Sequence, residues 1–85
     1  MKEYTYTIKD REGIHARPAG MLVKECNKFS SVITIKKGDK TGDAKRIFAV
    51  MGLAAKKDEE ITIIADGEDE VQAISALETF LKANL

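Results

Sequence analysis

Tryptophan is absent, and cysteine, proline and histidine occur once each, as Cys26, Pro18 and His15. A single cysteine excludes an internal disulfide, and no CxxC redox pair or zinc-ligand spacing can be built from one Cys and one His. The lone thiol suits a reducing compartment. Long apolar runs are missing too: nothing approaches the roughly 20 residues that cross a bilayer. The opening Met1-Lys2-Glu3-Tyr4-Thr5 is polar and carries no apolar signal core. Charge of one sign is not in excess, since Lys+Arg and Asp+Glu balance at 14 each. That balance argues against a bulk electrostatic grip on nucleic acid or membrane. Neither a GxxxxGK[ST] loop nor a GxGxxG turn occurs, so direct nucleotide binding has no support. Together these absences describe a soluble, cytoplasmic chain that needs no metal and no cofactor and inserts into no membrane.

What is present is enough for one small domain, residues 1–85. A chain of this length buries only about 60% of its unfolded surface, which leaves room for one core and no deep cavity. A monomer is the default for this size.

Tyr4, Tyr6 and Ile8 alternate with Thr5 and Thr7, the two-residue period of a half-buried strand. From Ala16 to Lys28 the period changes, and Ala19, Leu22, Val23 and Cys26 fall on one helical face. Pro18 suits the first turn of that helix, where no donor is lost. The helix therefore begins within a residue or two of His15. Ser31 to Lys36 reads as a strand, Gly38-Asp39 as a hairpin turn, and Lys40-Asp43 as a short return strand that Gly42 weakens, as at a sheet edge. Ile47 to Leu53 makes one or two helical turns. Ile61 to Ala65 is a β-branched strand ended by Gly67. A last helix follows, with Ala73, Ile74, Leu77, Phe80 and Leu81 inward and Lys82 near its negative end. The order β-α-β-β-α-β-α predicts an α+β open-faced sandwich: a four-stranded, mainly antiparallel sheet with three helices on one face. Right-handed crossovers place the fourth strand between the first and second.

His15 is where chemistry can reside. Its unperturbed imidazole is mostly neutral and nucleophilic near pH 7. Helix N-termini carry free N–H groups and a partial positive charge that bind phosphate. A phosphate on the ring would meet the amides of Ala16 and Arg17, and the Arg17 guanidinium adds charge-assisted bonds. From spacing alone, a helix-flanking histidine beside an exposed arginine remains the plainer alternative. Other candidates are weaker. Cys26 lies on a core face, where cysteine acts as a small hydrophobe. Asp58-Glu59-Glu60 and Glu68-Asp69-Glu70 read as solvated capping charge rather than acid–base pairs. Ile47-Phe48-Ala49-Val50-Met51 is too apolar to be wholly buried in so small a domain. Ile47 and Val50 fit the core, while Phe48 and Met51 suit a partner surface. Gly20, Met21 and Lys24 lie off the core face of the first helix, on the side nearer His15.

Gly13-Ile14-His15-Ala16-Arg17-Pro18-Ala19 resembles the active-site signature of the HPr family, the histidine-containing phosphocarriers of the bacterial sugar phosphotransferase system. The resemblance spans essentially the whole chain, including Ala44-Lys45, Ile47-Phe48, Val50-Met51, Glu60-Ile61-Thr62-Ile63 and Gly67-Glu68-Asp69-Glu70. It implies a phosphocarrier rather than an enzyme. His15 would accept phosphate at Nδ1 from Enzyme I and pass it to the IIA domains of sugar permeases, with Arg17 stabilising the phosphoryl group. It also implies a docking surface for both partners at Gly20, Met21, Lys24, Ile47, Phe48 and Met51, and no metal or cofactor.

One position departs from the family. Arg46 stands where many members have a regulatory serine, and no serine or threonine occurs between Thr41 and Thr62. A cation at a helix start is disfavoured by the dipole, and Asp43 is placed to offset it. Two alternatives stand beside the sugar-transport carrier: a paralogous regulatory phosphocarrier using the same histidine, and a binding module without phosphorylation.

Overall fold

The computed structural model describes residues 1–85. Two-residue alternation builds its sheet from β1 (Lys2–Thr7), β2 (Val32–Lys37), β3 (Lys40–Asp43) and β4 (Glu60–Asp66). The strand order is β1-β4-β2-β3, and every neighbouring pair is antiparallel. The fourth strand thus lies between the first and second, as right-handed crossovers require. Register puts Ile63 between Tyr4 and Ile35 on one face. On the other face Thr62 lies between Thr5 and Lys36, with the Thr5 and Thr62 hydroxyls 3.0 Å apart. The first set faces the core and the second faces water.

Three helices cover the apolar face: α1 (Ala16–Cys26), α2 (Ile47–Gly52) and α3 (Glu70–Asn84). They bury Ala19, Leu22, Cys26, Val50, Ala73, Leu77 and Leu81 against Ile33, Ile35, Ile61 and Ile63. The architecture is the expected β-α-β-β-α-β-α open-faced sandwich. Val23, Ile74 and Phe80, assigned to the core by periodicity, are only partly buried and pack at its margin.

Most boundaries shift by a residue, as at β2, α2 and β4, and two differences have a physical cause. Ile8 lies beyond the end of β1 yet is fully buried, because the chain turns inward there. Its amide donates to the Glu59 carbonyl (2.9 Å), and its carbonyl accepts from Asp58 (2.8 Å). α1 ends at Cys26 rather than Lys28. The Asn27 side chain donates to the carbonyls of Val23 (2.9 Å) and Lys45 (3.2 Å), which ties the end of α1 to the start of α2. Gly42 does lie on the edge strand, and it has a further role. A β-carbon there would sit 3.0 Å from the Ala49 carbonyl oxygen, so a side chain would press α2 a few tenths of an ångström away from β3.

Within Glu68-Asp69-Glu70, Glu68 is exposed and Glu70 accepts from the Gly67 amide (3.1 Å) at the start of α3, as capping charge, but Asp69 departs from that expectation. Asp69 precedes α3 but makes no side-chain cap to that helix. Its carboxylate reaches back to accept from the Ser31 hydroxyl and from the amides of Ser30 (2.8 Å) and Ser31 (2.9 Å). The Ser31 hydroxyl, followed by the Ser30 amide, holds the Asp69 carboxyl down at about 2. A depressed carboxyl contributes stability that is complete above its ordinary value near 4 and is lost as pH falls through the folded value. Thermal unfolding as a function of pH should therefore show a falling Tm between about pH 4 and 2. Asp69→Asn should flatten that limb and lower the Tm at neutral pH; an unaltered acid limb would show that Asp69 does not link stability to pH.

Candidate functional site

The chain arrives at His15 through a constrained turn. Gly13 adopts φ +69°, its amide donates to the Asp10 carbonyl (3.0 Å), and a β-carbon at this position would overlap the Ala55 carbonyl oxygen. Glycine is thus required twice here, for its dihedral angle and for the close approach. Ile14 follows, buried, with its amide on that same Ala55 carbonyl (2.9 Å). On the other side, the amides of Lys9 and Asp10 both donate to the Leu85 carbonyl, at 2.6 and 2.8 Å. The loop before His15 is therefore held from two directions by segments distant in sequence.

His15 is the N-cap of α1, extended at φ −90° and ψ −178°, and its side chain makes no capping hydrogen bond. The first backbone bond of the helix runs from the Ala19 amide to the His15 carbonyl (3.0 Å). The amides of Ala16 and Arg17 consequently have no acceptor within the protein, and Pro18, the next residue, has no amide hydrogen to offer. The imidazole is 37% exposed. It shares a shallow depression of about 230 Å³ with Asp10, Arg17, Pro18, Met21 and Asn84. Arg17 is exposed and its guanidinium forms no ion pair within the protein. An imidazole, two free amides and an unpaired guanidinium thus lie together at one helix end.

Two neighbours were missed at the level of sequence. Asp10 Oδ2 lies 3.9 Å and Glu12 Oε2 3.5 Å from His15 Nε2. The three side chains bring their donor atoms within 4.8 Å of one another, the one grouping in the chain with the composition of a metal-ligand set. Their closeness depends on the turn at Gly13. The only sequence signal was the i, i+3 spacing of Glu12 and His15.

The expected docking residues divide between two sides of α1. Gly20 faces α2, where a β-carbon would lie 3.7 Å from Ile47 Cδ1. Phe48 is 86% exposed, Met51 is partly exposed, and Val50 is fully buried, as the apolarity of the segment implied. Ile47 is half-buried. Met21 and Lys24 line the groove between α1 and α3, alongside Phe80 and Asn84, and Met21 also reaches the His15 depression. Arg46 caps α2 from outside, and its Nε lies 3.7 Å from Asp43 Oδ2, the compensation expected for a cation at that end.

Comparison with known proteins places the chain in a family. Residues 2–83 match the family model described as PTS HPr component phosphorylation site. The chain belongs to the HPr family. A phosphocarrier protein HPr from Mycoplasma capricolum is 51% identical over 77 residues, covering 91% of this chain and 86% of that protein. Another, from Lysinibacillus sphaericus, is 44% identical over 81 residues, covering 95% and 92%. The structure of a histidine-containing phosphocarrier protein from Mycoplasma superposes with a TM-score of 0.94 at 46% identity, over 96% of this chain and 93% of that one. HPr proteins are phosphocarriers of the phosphotransferase system and not enzymes in their own right. No helix of this HPr-family chain is long and apolar enough to cross a membrane.

Cys26 stays outside the site. It is fully buried, and burial pushes its thiol up to about 12. In the native protein at about pH 8 it should resist a thiol reagent by on the order of 100-fold or more relative to unfolded chain; rapid native labelling would contradict its burial. Gly13→Ala should cost about 1–3 kcal/mol through the forced dihedral and the overlap with Ala55. Chemical denaturation measures that loss, and full stability in the variant would remove the turn from this account.

Proposed function

We propose that the chain carries phosphate on His15, taking it from Enzyme I and delivering it to the IIA domains of sugar-specific permeases in the cytoplasm. The observation that carries this reading is the half-exposed imidazole at an extended N-cap, followed by two amides without acceptors. Phosphoryl transfer depends mainly on positioning and on stabilisation of oxygen charge. The lone pair of Nδ1 attacks phosphorus while the bond to the donor breaks and its electron pair leaves with the donor. The phosphoryl oxygens then face the amides of Ala16 and Arg17 at the positive end of α1, with the Arg17 guanidinium beside them. An open, shallow site lets the same phosphate leave again, which a closed pocket would resist.

Partner exchange requires a surface that binds briefly. Phe48, Met51, Met21 and the half-buried Ile47 provide scattered apolar contacts, and Gly20 leaves space between α1 and α2. Lys24 and Arg17 give this surface a basic character suited to acidic partner faces. Arg46 offers no hydroxyl for a kinase, so regulation by a phosphoserine at this position has no acceptor in the chain.

Purified protein incubated with Enzyme I and phosphoenolpyruvate should gain one acid-labile, base-stable phosphate per chain, and none in His15→Ala. An unlabelled wild-type protein would defeat the carrier reading. Arg17→Ala should slow transfer by on the order of 10- to 100-fold while circular dichroism stays unchanged; equal rates would remove Arg17 from the mechanism. Phe48→Ala should weaken partner binding by about 1–2 kcal/mol in titration calorimetry, and an unaltered affinity would take Phe48 out of the interface.

A further inference from the structure

Asp10 and Glu12 are the groups nearest His15 that phosphate binding leaves without a task. Both carboxylates approach the same ring nitrogen, Nε2, at 3.9 and 3.5 Å. Their placement is built into the turn. The Glu12 amide donates to Asp10 Oδ1 (2.8 Å), which occupies one carboxylate oxygen and leaves Oδ2 toward the ring. The Asp10 carbonyl closes the turn by accepting from Gly13, and the Asp10 amide anchors it to the Leu85 carbonyl. The Asp10 carboxylate is only about one-third exposed, so part of its interaction with the ring escapes solvent screening.

We propose that Asp10 and Glu12 are positioning residues for His15: they hold the proton of the imidazole on Nε2 and so keep the lone pair on Nδ1. The proposal rests on His15 being the phosphate acceptor. A neutral imidazole has one N–H and one lone pair, and only the nitrogen that bears the lone pair can attack. Ionised carboxylates accept and never donate, so two of them beside Nε2 favour the tautomer with hydrogen there. The same pattern, a carboxylate fixing the tautomer of a working histidine, recurs in catalytic triads and metal sites.

The carboxylates also act during transfer. When the Nδ1 lone pair forms the N–P bond, the old bond to phosphorus breaks and its pair departs with the donor. The ring, still carrying hydrogen on Nε2, takes on positive charge that now faces two anions. Both distances are at or beyond the edge of hydrogen bonding in the uncharged state, and such contacts shorten once the ring is charged. In the onward step an acceptor lone pair attacks phosphorus and the N–P pair returns to the ring. An imidazole that has kept its Nε2 proton leaves as a neutral group; one that has lost it would leave as an anion, and transfer would stall.

The test needs no protein partner. Chelator-treated protein with ¹⁵N-labelled histidine, at about pH 8, should show the Nε2–H tautomer almost alone. Glu12→Gln with Asp10→Asn should raise the Nδ1–H fraction by about two- to fivefold, the range expected of exposed charge pairs. Glu12→Asp in an otherwise native chain, which keeps both carboxylates, should retain most of the original ratio. Phosphorylation by potassium phosphoramidate, followed by ³¹P resonance, should slow by a similar factor in the double variant and shift toward Nε2 products. Circular dichroism and Tm confirm that each variant is folded. Identical tautomer ratios and product distributions in all proteins would overturn the proposal. If the ratios change as described but Enzyme I never labels the wild type, the carrier reading alone fails. If Enzyme I labels the wild type but the ratios do not move, the positioning role alone fails.

Discussion

The position of His15 at the start of a helix depends on how the chain before it is held, and the Gly13 turn does the holding. At φ +69°, with the Ala55 carbonyl where a β-carbon would be, the turn admits no other residue without strain. Ile14 is driven into the core on one side of it, while Lys9 and Asp10 are tethered to the Leu85 carbonyl on the other. His15 is left extended, with its ring outside the helix and two unsatisfied amides following it. The two free amides, the exposure of the imidazole and the approach of two carboxylates to Nε2 all descend from that one piece of backbone.

The rest of the fold supplies rigidity and separates the tasks. The sheet packs Ile33, Ile35, Ile61 and Ile63 into the core on one face and turns Thr5, Thr62 and Lys36, together with the exposed Val32, to water on the other. α1 is fixed along its length: Cys26 is buried at its end, and Asn27 bonds to the carbonyls of Val23 and Lys45. α2 is only six residues long, and its seat against β3 depends on Gly42. This combination permits Phe48 to stand almost fully in water, an arrangement that an isolated single turn of helix could not sustain. The result is a rigid frame with a small apolar outpost at its surface.

Much of this was legible in the residues. Alternation identified the strands, the 3.6-residue period identified the helices, and Pro18 located the start of α1 beside His15. The HPr signature carried the assignment further, and the family comparison agrees with it. The acidic stretches were less readable. Glu68-Asp69-Glu70 looked like a helix cap because helix starts favour acids, yet Asp69 spends its carboxylate on Ser30 and Ser31, 38 or more residues away in sequence. Local statistics contain no information about a contact of that kind. The residues expected on a docking surface were individually visible but not their division, with Gly20 turned to α2 and Met21 and Lys24 turned to α3.

By itself, the sequence determined the element order, the exposed segment at Phe48 and the coincidence of an imidazole, a cation and a helix start. Each of these follows from residue type and short-range period, which the local backbone obeys wherever the chain goes. Only the tertiary structure decided that Asp10 and Glu12 share the Nε2 side of His15, that Gly42 lies tight against the Ala49 carbonyl, and that Asp69 clasps a distant loop. Those outcomes depend on carbonyls and carboxylates meeting across the fold, and such meetings are set by packing between elements rather than by the composition of any one of them.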